Sequence, residues 1–215
     1  MNFLIKSGQG LKGEITIPGD KSISHRSIIL SSLAEGTSKI HGLLEGEDCL
    51  ATIEVFRNMG IKIINKEGVY SIEGNGLRGL DAPQKPLDFG NSGTSIRLCS
   101  GILSAQNFQS ILVGDSSLSS RPMQRIVEPL TDMGAKITSN NGTLPLNISP
   151  TDSFKSIDYL LPVASAQVKS CIMLAALYAE GVTNIQEGAV TRDHTENMFK
   201  QFGIPVNVKS SDSKK

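Results

Sequence analysis

PGDKSISHRSIILSSLAEGTSKIHG, residues 18–42, is the stretch on which the fold turns. Before it, Leu11 to Pro18 (L-K-G-E-I-T-I-P) alternates apolar and polar residues as a strand does. After the polar cluster Gly19–Arg26, the run Ser27 to Glu35 places Ile28, Ile29, Leu30, Leu33 and Ala34 on the buried side of a helix, and Glu35-Gly36 stops it. The cluster therefore stands at a strand-to-helix junction. Free N–H groups of a first helical turn and the positive end of the dipole suit an anion there. Ser22 and Ser24 supply hydroxyls, Arg26 a planar fork and Lys21 a compact ammonium. An ordinary serine cap with solvated charges is the other reading, and the segment alone leaves both open. A nucleotide P-loop is excluded: Gly13 and Gly19 are separated by five residues where four are needed, and Asp20 would repel a phosphate.

The stretch recurs. A block from Ser22 to FRNMG, ending at Gly60, is followed by one from Asn91 to LTDMG, ending at Gly134, and one from Ser165 to FKQFG, ending at Gly203. The closing glycines are 74 and 69 residues apart, a period that marks repeated structural units. Each block reads as a helix, a turn, a short β-rich run, and a second amphipathic helix ended by glycine. Strand candidates follow at Ile61–Ile64, Ala135–Thr138 and Ile204–Val208, with hairpin-like sequence around 68–72 and 142–148. Arg26 lies four positions after Ser22, Arg97 four after Gly93 and Lys169 four after Ser165, so each first helix starts on a small residue and carries a cation one turn later. Three such units about a pseudo-threefold axis bring three helix N-termini to one electropositive mouth.

Composition narrows the classes. With 215 residues, 39% of them hydrophobic, the chain can bury a core as one large or two small domains. Lys plus Arg equals Asp plus Glu at 21 each, so no global basic field serves nucleic acid, and an anion site must come from local focusing. The longest apolar run, Cys171 to Ala179, is nine residues, far short of the ~20 that span a bilayer. Cys49, Cys99 and Cys171 lack C-x-x-C spacing and read as reduced thiols of a cytoplasmic protein. His25, His41 and His194 have no metal-ligand spacing, so neither a metal nor a cofactor is expected.

Four further clusters are candidates. Asn91-Ser92-Gly93-Thr94-Ser95 opens the second-block helix, and Gly93 lets a ligand approach the backbone; a loop needing a flexible cap reads the same. Arg121 stands before Pro122 at a helix start, on a stiff backbone or simply at the surface. Ser165-Ala166-Gln167 offers a hydroxyl and an amide to a hydroxylated ligand. Thr191-Arg192-Asp193-His194-Thr195 opens another helix, where Thr191 or Asp193 as a cap is the competing role.

PGDKSISHR, FGNSGTSIRL, SSRPMQRIVEPL, SAQVKSCIMLAAL and TRDHTENM, in this order, resemble the N-terminal half of the EPSP synthase (3-phosphoshikimate 1-carboxyvinyltransferase) family, from about Gly8 to Val208. The resemblance implies an α/β fold, a pseudo-threefold inside-out barrel domain of three βαβαββ-like units. Residues 1–20 would be a lead strand and crossover belonging partly to the other domain, 21–209 the substrate-binding domain, and 210–215 a polar tail. It implies that Ser22, Arg26, Ser165 and Gln167 hold shikimate 3-phosphate with help from Arg192. Lys21, Gly93, Arg121 and Gln167 would hold phosphoenolpyruvate, Lys21 meeting both substrates as the catalytic candidate, while Asn91 and Thr94 shape the loop. Glyphosate is the implied inhibitor, at the phosphoenolpyruvate position. A monomer is expected, needing a C-terminal domain that carries the proton-transfer groups and is absent from this sequence.

Two competing functions remain. A UDP-N-acetylglucosamine enolpyruvyl transferase would share the fold, but residues 114–123 lack its loop cysteine and the sequence around Lys21 is of the shikimate type. A non-catalytic anion-binding module would keep the same binding residues without turnover.

Overall fold

In the computed structural model, residues 3–4, 6–8, 10 and 12–209 are described. Leu11, which opens the predicted lead strand, and the predicted tail 210–215 lie outside them. The first block runs α1 (Lys21–Leu33), β1 (Glu35–His41), α2 (Glu47–Arg57), β2 (Lys62–Lys66) and β3 (Val69–Asn75). The second runs β4 (Leu87–Asp88), α3 (Gly93–Leu103), β5 (Ser110–Val113), a single turn α4 (Ser116–Ser119), α5 (Gln124–Asp132), β6 (Lys136–Asn140) and β7 (Thr143–Ser149). The third runs β8 (Asp158–Leu161), α6 (Ala166–Ala176), β9 (Asn184–Glu187) and α7 (His194–Gln201). The repeat read from sequence is thus a structural repeat. Gly60, Gly134 and Gly203 all take positive φ, the left-handed turn that ends a helix without a Cβ clash.

The helices that open the blocks are the interior. On α1, α3 and α6 buried positions run on consecutive residues, such as Leu98–Leu103 and Val168–Ala175, and not along one stripe. A helix apolar all round belongs inside. The serines among them are satisfied locally: Ser32, Ser100, Ser104 and Ser170 each donate to the carbonyl one turn back, at 2.6–2.8 Å. These small side chains let α3 lie against α6 and α1 against α3. The outer helices are amphipathic, with Ile53 and Phe56 of α2 and Ile126 and Leu130 of α5 turned inward. Each helix with its sheet cannot bury its own apolar face, so the three units share one core.

Three small sheets wrap this bundle, in the orders β1-β3-β2, β4-β5-β7-β6 and β8-β9. Within the second, β4 runs parallel to β5, and β7 pairs antiparallel with both β5 and β6. Two expectations fail here. Residues 12–18 of the predicted lead strand form no strand, and neither do Ile204–Val208. Alternation supplies a face, but a strand also needs a ladder partner, and among the described residues neither segment has one. The three sheets wrap the sides of the helical core, and the beginnings of α1, α3 and α6 form a common mouth.

Candidate functional site

Each inner helix closes its own first turn. Asp20 accepts from the Ile23 amide at 2.8 Å, Ser92 from Ser95 at 3.2 Å, and Ser165 from Val168 at 3.4 Å. This corrects two expectations. α1 is capped by Asp20, so Ser22 lies inside its first turn, and part of the amide seat expected for an external anion is taken by the protein's own cap. Anion recognition at this mouth falls mainly to side chains.

Arg26 is the centre of the arrangement. It is buried, and donates from Nε to Thr195 Oγ1 at 2.6 Å, from Nη2 to Ser170 Oγ at 2.6 Å and from Nη1 to the Ser22 carbonyl at 2.9 Å. Three of the five guanidinium N–H donors are committed, leaving two for a ligand. Burial, with Arg192 nearby, pulls its pKa down to about 10, so it stays charged at neutral pH. Arg26 lines a small cavity with Ser22, Thr94, Ala166, Gln167, Arg192 and His194. Arg192 reaches across 170 residues of sequence to the Ser22 hydroxyl at 3.3 Å. The capping role weighed for its neighbours does not materialise: Asp193 makes no side-chain cap bond, and Thr191 instead donates to Glu187 at 2.7 Å.

A second group adjoins the first through Gln167. Its amide nitrogen donates to Thr94 Oγ1 at 3.0 Å, and its oxygen accepts from Arg97 at 3.2 Å. Arg97 also donates to the Gly93 carbonyl at 3.0 Å and the Pro122 carbonyl at 3.2 Å. Arg121 is held by Asn91 Oδ1 and by Ser117 Oγ. Gly93 lies between the two arginines: a Cβ there would fall 2.7 Å from Arg97 Nη1 and 3.1 Å from Arg121 Nη1. Asn91 in turn donates to Asp115 at 2.7 Å, which caps α4.

Lys21 stands apart, its ammonium paired with Asp48 at 2.8 Å. That hydrogen bond, together with the carboxylate charge, raises its pKa. Below it, the fully buried His25 joins three helices, linking α1 to the middle of α2 and to the cap of α3. Nδ1 meets Thr52 Oγ1 at 2.8 Å, Nε2 meets Ser92 Oγ at 3.4 Å, and Thr52 donates to Ser95 at 2.7 Å. Burial lowers the His25 pKa to about 4, so the ring is neutral.

Lys169, which the repeat aligned with Arg26 and Arg97, does not face the mouth. It is buried, with Nζ 2.6 Å from Glu196 and 3.1 Å from Glu187, and its charge is cancelled inside the third block. Arg97, Asp48, Thr195 and Ser170 are the residues that sequence reading left without a role here. Arg97 at least carried a signal, its matching place in the repeat. The site as built offers fixed guanidinium groups, hydroxyls and an amide, a set suited to a phosphorylated, hydroxylated ligand.

The family model for EPSP synthase (3-phosphoshikimate 1-carboxyvinyltransferase) matches residues 5–214. The 3-phosphoshikimate 1-carboxyvinyltransferase of Hydrogenovibrio crunogenus is 54% identical over 214 residues, 99% of this chain and 48% of the relative. That of Ruthia magnifica subsp. Calyptogena magnifica is 58% identical over 206 residues, 96% of this chain and 47% of the relative. The solved EPSP synthase from Acinetobacter baumannii superposes with a TM-score of 0.89 at 54% identity, over 92% of this chain and 45% of that one. The chain spans about half the length of the curated relatives it matches.

Proposed function

The chain belongs to the EPSP synthase family, and on that premise we propose that it is the substrate-binding half of a 3-phosphoshikimate 1-carboxyvinyltransferase. That enzyme transfers the enolpyruvyl group of phosphoenolpyruvate to shikimate 3-phosphate and releases inorganic phosphate, a step of the shikimate pathway toward chorismate. The observation that carries this reading is the cavity where Ser22 and Arg26 of α1, Gln167 of α6 and Arg192 converge from three separate segments of the chain. The spare N–H donors of Arg26 and the guanidinium of Arg192 take the charged groups of shikimate 3-phosphate, while Ser22, Gln167 and the Ser165 hydroxyl take its oxygens.

Phosphoenolpyruvate lies on the side of Gly93 and Arg121, with Gln167 between the two substrates. Glyphosate competes for that place. Asn91 fixes Arg121, and Thr94 fixes Gln167. Lys21 exchanges Asp48 for a substrate oxyanion when the ligand arrives. The two substrates repel each other, and the value of this half is to hold them at reacting distance on cations that are already in place. In the reaction, the attacking hydroxyl adds to the enol carbon while the methylene gains a proton. Phosphate then leaves as the methyl gives a proton back. The groups that carry these protons lie in the half of the relatives' length that this chain does not span. We place the protein in the cytoplasm, in keeping with three free, buried cysteines; among the described residues no helix is long and apolar enough to cross a membrane.

Calorimetric titration with shikimate 3-phosphate tests the reading, together with an assay of phosphate release with both substrates present. Weak saturable binding is expected, abolished in Arg192→Ala combined with Arg26→Lys, and phosphate release only after addition of a separately made C-terminal half of a relative. No binding by the folded chain, or turnover by the chain alone, overturns the proposal.

A further inference from the structure

Arg192 is held differently from the other arginines of the mouth. Arg26, Arg97 and Arg121 each make several hydrogen bonds to the protein, whereas among the described residues the guanidinium of Arg192 makes one, at 3.3 Å to the Ser22 hydroxyl. Its place at the cavity must therefore come from the backbone that carries it. That backbone is the connection between β9 and α7, residues 188–193, which forms neither helix nor strand. Gly188, Ala189 and Val190 are all exposed, Val190 at 96%, so packing does not hold the connection either.

What holds it is an ionic clamp anchored on α6. Glu187, the last residue of β9, reaches forward over the connection: Oε2 accepts from the Thr191 hydroxyl at 2.7 Å, and Oε1 from the Thr191 amide at 3.4 Å. The same Oε1 accepts from the buried Lys169 Nζ at 3.1 Å, and that ammonium lies 2.6 Å from Glu196 in the first turn of α7. One ammonium on α6 thus ties both ends of the connection, and Arg192 lies between the two ties. Next to Glu196, Thr195 accepts from Arg26 Nε at 2.6 Å, so the second tie also sets the connection against the central arginine. Burial pushes the Glu187 carboxyl up, but its bonds to Thr191 and Lys169 bring it below the ordinary value, so the clamp is charged at neutral pH. Hydrogen bonds to an ionised acceptor are roughly twice as strong as neutral ones.

We propose that Glu187 and Thr191 are positioning residues for shikimate 3-phosphate: by closing the connection on itself and onto α6, they hold Arg192 over the cavity before the ligand arrives. The inference rests on the assignment of Arg192 to that substrate. Neither Glu187 nor Thr191 lines the cavity, so their effect passes through Arg192. An exposed connection without the clamp would have to be ordered at the moment of binding, and that lost freedom would be subtracted from the affinity.

Thr191→Val keeps the shape of the side chain and removes the hydroxyl, at a position outside the core, and Thr191→Ser restores the hydroxyl. Two measurements on the full chain test the clamp. In the free chain, trypsin is expected to cut after Arg192 about tenfold faster in Thr191→Val, with cleavage elsewhere unchanged and Thr191→Ser close to the natural rate. In calorimetry, Thr191→Val is expected to weaken shikimate 3-phosphate binding by about tenfold, and Thr191→Ser by no more than about twofold. In an Arg192→Ala background, titrated at higher ligand concentration, Thr191→Val should cost nothing further. Unchanged cleavage after Arg192 overturns the proposal, as does unchanged affinity in Thr191→Val or a loss of affinity that adds in full to that of Arg192→Ala. A natural chain that does not bind shikimate 3-phosphate counts against the functional reading, and cleavage of the free chain still decides the clamp.

Discussion

His25 should make the stability of this domain depend on pH between about 4 and 6.5. The ring is fully buried between Thr52 and Ser92, and burial lowers its pKa from the ordinary 6.5 to about 4; the Asp48 carboxylate offsets part of that, while Lys21 and Arg26 add to it. Between pH 4 and 6.5 the unfolded chain therefore holds a proton on His25 that the folded chain does not. More protons on the unfolded side means that stability rises with pH through that window. The contribution is complete above pH 6.5 and disappears as pH falls toward 4. At about 1.4 kcal/mol for each tenfold difference in proton affinity, it amounts to about 3 kcal/mol, a large share of the stability of an ordinary domain. The assay is urea unfolding followed by far-ultraviolet circular dichroism, at intervals from pH 7.5 to 4.5, on the natural chain and on His25→Gln. Glutamine does not titrate, and its amide can still bond within the pocket. The variant should start less stable at pH 7.5, and the gap should close by about 2–3 kcal/mol on reaching pH 4.5. Parallel pH profiles would show that His25 is not a buried neutral ring, and with that the link it makes between α1, α2 and the cap of α3 would fall.

Arg26→Lys keeps the charge but cannot serve Thr195, Ser170 and the Ser22 carbonyl at once, so shikimate 3-phosphate should bind more weakly by about 1–3 kcal/mol; unchanged affinity in calorimetry removes Arg26 from the site. Lys169→Met leaves Glu187 and Glu196 facing each other without a cation, and should cost about 3–5 kcal/mol in urea unfolding at pH 7. The Glu187 carboxyl is raised by burial but lowered more by its bonds to Thr191 and Lys169; protonation at low pH should narrow the gap, and a loss that does not shrink with acid would refute the pairing. Gly93→Ala pushes a methyl against Arg97 and Arg121, and in an enzyme completed with a relative's C-terminal half it should weaken glyphosate inhibition more than phosphoenolpyruvate use; equal effects on the two would argue against Gly93 as part of that pocket.

Much of the architecture was legible because repetition is a pattern that needs no partner to be seen. The glycines at 60, 134 and 203 follow from periodicity alone, whereas the opening helix, read as having one buried side, is buried on consecutive residues. The failures share a different cause. Asp20 and Ser22 are both good N-caps two residues apart, and one turn of backbone decides between them. Lys169 matches Arg26 in spacing, yet its partners Glu187 and Glu196 lie 18 and 27 positions further on, brought close only by the fold of the third block. The alternation of residues 11–18 is strand-like as sequence, but a ladder is a property of two segments, and residues 12–18 form no strand. Of the predicted site residues, Ser22, Arg26, Thr94, Gln167 and Arg192 share one cavity, and Asn91, Gly93 and Arg121 form an adjoining group. Ser165 is a helix cap and Lys21 is paired with Asp48.

The contrast between Lys169 and the arginines explains how a chain with no net charge can keep an electropositive mouth. Arg26 is braced by two hydroxyls and a carbonyl, Arg97 by two carbonyls and an amide oxygen, and Arg121 by an amide oxygen and a hydroxyl. All of these acceptors are neutral. They fix where each guanidinium points without cancelling its charge, so the field is set before a ligand arrives and little reorganisation is needed when it does. Lys169, braced by two carboxylates, is a strut whose charge does not reach the mouth. Lys21 falls between the two cases. Its ammonium is exposed and its single carboxylate partner half-buried, so water weakens the pair and a ligand's oxyanion can replace it. The arginines therefore provide the permanent field, and Lys21 is the cation whose charge an exchange of Asp48 for an incoming oxyanion is expected to release.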